Sequence, residues 1–227
     1  MKRLRHCLTC AALLASLGGC TVGEGDGYVK STKLYIRDCW NGGFDLRPDF
    51  FATNPFSDST QVIRVQRGDN LQEVSDGLMI LVNDTNAVRE RLGDELEVGM
   101  PVGVSCPGRP VVYDENPALV NMSLYLHDSC HTQEGATIHS LDAVEDAGGL
   151  GGAVAMLGGT ITFNKLFSGD INEQDGSERL TEASFEVRFG SPCDHPPGGL
   201  QNADLVSVVT GYFKFYFQRG QPAQPFP

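Results

Sequence analysis

The segment Tyr212-Phe213-Lys214-Phe215-Tyr216-Phe217-Gln218 constrains the fold most, because it alternates without a break. Side chains on a strand point to opposite faces in turn, so three phenylalanines fall on one side and Tyr, Lys, Tyr and Gln on the other. The Phe side is predicted to be core, where each sequestered ring contributes about 1.5–3 kcal/mol. Ser184-Phe185-Glu186-Val187-Arg188-Phe189 repeats the pattern with Glu and Arg on the wet side, and Thr160-Ile161-Thr162-Phe163 does so upstream. The acidic Gly169–Ser177 stretch between these two suits a hairpin connection. Further strands are expected at Lys33–Asp38, Gln61–Arg67, Leu78–Asn83, Val111–Tyr113, Val120–His127 and Thr137–Ala143. Helix is scarce. The one short amphipathic candidate is Asn86–Leu92, with Val88 and Leu92 four apart and Asp84 or Thr85 as the cap.

About nine strands divided by Gly, Pro, Asn and Asp turns, with no alternating long helices, predict an all-β antiparallel β-sandwich. A closed β-barrel is the alternative, since a period of two does not separate them. A hydrophobic fraction of 41% and a mean hydropathy of −0.17 are those of a water-soluble globule. The expected organisation is a leader over residues 1–19, a tether over 20–28 and a single sandwich domain over 29–227. Leu34-Tyr35-Ile36-Arg37-Asp38-Cys39 looks like Leu124-Tyr125-Leu126-His127-Asp128-Ser129-Cys130, which invites a duplication with two lobes divided near residues 107–117. The competing reading is one sandwich with two similar strand ends.

Lys2, Arg3 and Arg5 precede an uncharged run from Cys7 to Gly19 that is rich in Leu and Ala, the layout of a signal peptide. That run is shorter than the roughly 20 residues a bilayer-spanning helix needs, so it does not read as a permanent span. It closes on Leu17-Gly18-Gly19-Cys20, an aliphatic residue, two small ones and a cysteine. This sequence resembles the lipobox of bacterial lipoproteins. The resemblance covers only the leader, and it implies a diacylglyceryl thioether on Cys20, cleavage before it and acylation of the freed amine. The partner would then be a lipid bilayer, held through Cys20 by two or three acyl chains at about 0.8 kcal/mol per buried methylene. Thr21, rather than Asp, follows the cysteine, which in that class implies the outer membrane. Thr21–Gly27 is Gly-rich and acidic, and reads as a flexible tether.

Loss of the leader removes three cations and no acid, leaving 14 Lys and Arg against 29 Asp and Glu, a net charge of −15. Nucleic acid is disfavoured as a partner, because no basic face is available to neutralise phosphates. Such a body is also repelled by anionic headgroups, so the acyl group is expected to be its only membrane contact. With Cys7 and Cys10 gone and Cys20 acylated, four cysteines remain: Cys39, Cys106, Cys130 and Cys193. An even count in an oxidising envelope predicts two disulfides, with three connectivities open. None of the four has the Cys-x-x-Cys spacing of a zinc site.

Catalytic signals are sparse. His127 and His131 flank Cys130 and lie near Asp128 and His139, yet four-residue spacing shares a face only on a helix, and this stretch reads as strand and turn. Asp170-x-Asn172-x-Gln174-Asp175-Gly176 has the oxygen-rich look of a Ca²⁺ loop, but Asp stands where an EF-hand requires Gly. Asp170, Asn172 and Asp175 therefore stay weak metal candidates beside the plainer reading of a solvated hairpin tip. The Gly148–Gly159 run lacks the third glycine of a dinucleotide fingerprint, and reads as an inter-strand loop or as a mobile apolar flap. A Gly-x-Ser-x-Gly elbow is absent. Trp40 is expected to pack over a disulfide at Cys39, the alternative being a loop patch with Phe44, Phe50, Phe51 and Phe56. The proline-rich tail from Gly220 to Pro227 should run extended.

Around Gly43-Phe44-Asp45-Leu46 and Arg219-Gly220-Gln221-Pro222 the mature sequence resembles uncharacterised lipoproteins of Gram-negative envelopes, a resemblance that implies no activity. The expectation is a lipid-anchored, non-enzymatic binding or structural module that engages another envelope component. The alternative is a tethered hydrolase with a site near His127, Asp128 and His131.

Overall fold

The structure is a computed structural model that describes residues 21–55, 57, 59–68, 74–104, 118–130, 136–142, 158–170, 172–191, 193–194 and 203–217, with backbone alone at 21–23 and 55. Eleven strands form one sheet: β1 (Thr21–Ile36), β2 (Trp40–Leu46), β3 (Phe50–Pro55), β4 (Gln61–Arg67), β5 (Asp76–Val82), β6 (Glu95–Gly99), β7 (Val120–Leu126), β8 (Thr137–Ser140), β9 (Gly159–Lys165), β10 (Leu180–Gly190) and β11 (Ser207–Phe217). Among the described residues there is one α-helix, α1, over Thr85–Arg89.

The chain is all-β, as its alternation predicts. The strands run in the order β11-β1-β3-β4-β5-β7-β6-β9-β10-β8, and β10 also pairs with β11, so the ladder returns to the strand where it starts. Among the described strands only β6 and β7 are parallel, at Val98↔Val120 and Gly99↔Asn121. β2 pairs with β1 alone, and β8 bridges β7 and β10. Inner faces pack on one another as the layers of a sandwich do, around one hydrophobic cluster that runs from Val29 to Phe215. Hydrogen bonding is nevertheless continuous, where two separate sheets were expected. Strands from either side of residues 107–117 interleave, β5 pairing with β7 over seven registered residues, so both halves share that core.

The aromatic strand behaves as its pattern demands. Phe213, Phe215 and Phe217 are buried, whereas Tyr212, Lys214 and Tyr216 face outward. β9 and β10 form the expected antiparallel pair. Two sequence readings need correction. The supposed tether is instead the first half of β1, paired with β11 from Gly23↔Phe217 to Lys30↔Thr210 and with β3 at Thr21↔Thr53. The reason is a period of two in its glycines: Gly23, Gly25 and Gly27 stand opposite Phe217, Phe215 and Phe213. A Cβ at Gly25 would lie 2.4 Å from the Phe215 Cβ and one at Gly27 would lie 2.6 Å from the Tyr212 carbonyl oxygen. These glycines serve close strand approach rather than slack. The second correction concerns residues 40–55, which the expected strands leave out and the alternative patch reading makes a loop: they contain β2 and β3. Their Phe44, Phe50 and Phe51 are buried, and Trp40 packs edge-on to Phe44 at 5.9 Å against the core.

Helix α1 is capped as expected, with Asp84 Oδ1 accepting from the Asn86 and Ala87 amides at 3.0 Å each. Val88 is its buried residue. Leu92 lies beyond the helix and is 39% exposed, because the chain turns away toward Gly93, whose φ of 89° favours glycine. The Val111–Tyr113 strand, the Gly148–Leu157 run, Phe56 and the Gly220–Pro227 tail lie outside the described residues.

Candidate functional site

The two strand ends that resemble one another in sequence meet in space, because Cys39 and Cys130 form a disulfide across 91 residues. Local structure delivers each cysteine. After β1 the chain turns with the Cys39 amide donating to the Ile36 carbonyl, and Asp38 adopts a φ of 58°, which Asp tolerates better than most residues. After β7, the buried Asp76 carboxylate holds the bend. Its Oδ1 accepts from the amides of Asp128 and Ser129 at 3.0 and 3.1 Å, and its Oδ2 accepts from the Ser129 hydroxyl. Three donors on one carboxylate make a strong local clamp. Cys193 is also disulfide-bonded. Its partner lies outside the described residues, as does Cys106.

Beside this disulfide, a cleft of about 280 Å³ opens between the ends of β1, β8 and β10. Tyr35, Thr137, Ile138 and Cys193 line it, together with Arg37, which donates to Asp194 in an ion pair. Its lining mixes polar and apolar side chains. A broader, shallower groove lies on the outer face of β1 and β11, over Glu24, Asp26, Arg179, Tyr212, Lys214 and Tyr216.

A third polar constellation is hidden. On the outer face of β4, β5 and β7, the Arg64 Nη2 donates to Gln66 Oε1 at 2.6 Å, and the Tyr125 hydroxyl donates to the same oxygen at 3.0 Å. Gln66 Nε2 donates in turn to the Gly68 carbonyl at 2.7 Å. Arg64, Gln66 and Tyr125 are all buried. Gly77 makes room for them, since a Cβ there would lie 2.6 Å from the Tyr125 oxygen and 2.5 Å from the Gln66 Cβ. Burial raises the Tyr125 phenol above its ordinary range, with the Arg64 charge and hydrogen bond pulling it back. One pair along, Ser123 Oγ and His139 Nδ1 share a 2.8 Å hydrogen bond, and burial lowers the imidazole to about 4. His139 is therefore neutral at pH 7. Ser123 is only 4% exposed, so its hydroxyl is turned to the half-buried His139 ring rather than to solvent.

Among the described residues, those singled out from sequence do not converge. His127 Nε2 meets the Thr137 hydroxyl at 3.2 Å, the Asp128 side chain is exposed, and His131 lies outside the described residues, as does His195. At the hairpin tip, Asp170 Oδ1 accepts the Asn172 amide at 2.8 Å and Asp175 Oδ1 accepts the Ser177 amide and hydroxyl. Those bonds lower the Asp175 carboxyl and commit it to the loop. Among the described residues, no group of three His, Cys, Asp or Glu side chains is placed to hold a metal. Sequence reading passed over Arg64, Gln66, Tyr125 and Ser123. The signal was the unbroken run Leu78-Met79-Ile80-Leu81-Val82, which lacks alternation because that strand has cover on both faces. Compared with family models, with curated proteins and with solved structures, the chain finds no match in any of the three.

Proposed function

We propose that the protein is a lipoprotein of a bacterial envelope, acylated at Cys20 and exported to the outer membrane, whose β-sheet body is a non-enzymatic binding or structural module. The observation that carries this reading is the Cys39–Cys130 disulfide joined to the leader ending in Leu17-Gly18-Gly19-Cys20. Disulfides persist outside the cytosol, where a chain with such a leader is sent. A third oxidised cysteine, Cys193, supports the same compartment.

A binding role draws its support from where the polar groups lie. The Ser123 hydroxyl is buried against the half-buried His139 ring, whereas the accessible features are a cleft framed by an ion pair and a broad groove of tyrosines and charges. Recognition needs accessible concavity, and nucleophilic chemistry needs an accessible, activated group. The test is fatty-acid labelling in cells. Cys20→Ser should abolish the label and release the protein from the membrane fraction. Undiminished labelling in that variant would refute the anchor.

A further inference from the structure

Resting on the lipoprotein reading, we infer that the body sits directly on the bilayer by the end of the sheet where β1 begins, with the disulfide-stapled end pointing away. The ground for this is the absence of slack. β1 starts at Thr21, one peptide bond from the acylated residue, and adjacent Cα atoms are about 3.8 Å apart. Thr21 is already paired with Thr53, and Gly23 with both Phe51 and Phe217, so the strand is gripped on both sides at once. An anchored Cys20 at headgroup level therefore brings this end of the sheet with it. The occupant of that end is a lipid surface, in place of the stand-off expected from charge and a slack tether.

The register identifies what shares that end. β3 runs from its Thr53 pairing into the 57–60 turn, whose Ser59 carbonyl accepts from the Thr85 amide at the start of α1. Leu180 pairs with Tyr216, which places the 166–179 loop alongside. Ser59 and Gln174 are exposed there. At the other end of β1, up to about 50 Å along a strand of this length, lie Trp40, the Cys39–Cys130 bond and the Arg37–Asp194 cleft. Acids at the near end, among them Glu173, Asp175 and Glu178, do not attract anionic headgroups. Covalent shortness, not charge, sets the orientation, and the cleft faces the aqueous side.

The native Trp40 makes the test direct, because it is the single tryptophan. The acylated full chain is reconstituted into phosphatidylcholine vesicles whose headgroups carry a nitroxide quencher. Trp40 is compared with two near-end reporters, Ser59→Trp and Gln174→Trp, each in a Trp40→Phe background, so that one folding failure does not stop the experiment. Near-end emission should fall by about half or more while Trp40 keeps nearly all of its own. A flexible insert of about eight Gly and Ser residues after Cys20 should remove the near-end quenching. Protein that floats with the vesicles yet shows no near-end quenching overturns the seating and leaves the lipoprotein reading intact. Strong quenching of Trp40 overturns it likewise. Protein that carries no lipid mass and does not float removes both.

Discussion

Two parts of one sheet solve the burial problem differently. In β9, β10, β11 and the first half of β1, one face is packed and the other is wet: Phe213 and Phe215 lie inside, while Tyr28, Tyr212, Lys30 and Lys214 stand outside. The wet side is stitched by exposed or half-exposed groups, with Lys214 3.2 Å from Glu182 and Lys30 4.8 Å over the Tyr28 ring. In β4, β5 and β7 both faces are covered, and every residue of β7 is buried. There the second face carries Arg64, Gln66, Tyr125 and Ser123, each engaged in a side-chain hydrogen bond. The lesson is that polar side chains in strands are tolerated at opposite extremes, in water or hydrogen-bonded to one another, and that the second case makes every member sensitive to its neighbours.

The contrast can be broken by experiment, beginning with the link between its halves. Cys39 ends β1 and Cys130 follows β7, so the bond ties the one-faced part to the two-faced part. Cys39→Ser with Cys130→Ser should cost about 4–5 kcal/mol on loop entropy, read by denaturant unfolding. A loss below about 1 kcal/mol would mean that the sheet alone fixes the two parts. Next comes the inner face. Phe213→Ala should cost about 3–5 kcal/mol, whereas Val208→Thr on the wet face of the same strand, 42% exposed, should stay within about 0.5 kcal/mol. Equal effects would erase the distinction between the faces.

Acid should act on the two-faced part in particular. Burial holds His139 near 4 in the folded protein, below the ordinary 6.5 of the unfolded chain. Between those values the unfolded chain binds the proton and the folded one does not, so this stabilisation is complete above pH 6.5 and is lost as pH falls toward 4. The upper bound is about 3 kcal/mol for such a shift. His139→Gln should flatten the stability profile in that window, and a parent profile already flat there would contradict a buried neutral ring. Smaller effects follow at the tyrosine cradle. Gly77→Ala should cost about 2 kcal/mol by displacing Tyr125 and Gln66, and Tyr125→Phe about 1 kcal/mol, since Gln66 keeps its bond from Arg64.

Legibility in the sequence follows the same division. β10 contains Ser184–Phe189, where alternation puts a strand, and the Phe side of β11 is core, because one-faced burial leaves a period of two. Two-faced burial erases that period. Leu78–Val82 announced a strand but not the polar partners stacked on its far side, whose contacts come from β4 and β7 and have no local mark. The glycines of β1 misled for a different reason. Gly23, Gly25 and Gly27 carry the composition of a linker, and only the Phe residues nearly two hundred positions later give them a structural meaning. Of the candidate chemistry, the cysteine count led to the disulfide at Cys39 and Cys130. His127 and Asp128 were drawn together by sequence proximity, which a turn at the end of β7 dissolves.

The most direct test of the whole account is the intact mass of the protein isolated from its native envelope without reductant. The account predicts a chain that begins at Cys20, heavier than its sequence by a diacylglyceryl group and an amide-linked acyl chain, with every body cysteine oxidised. A chain that retains residues 1–19, or that carries an unmodified thiol at position 20, would contradict it.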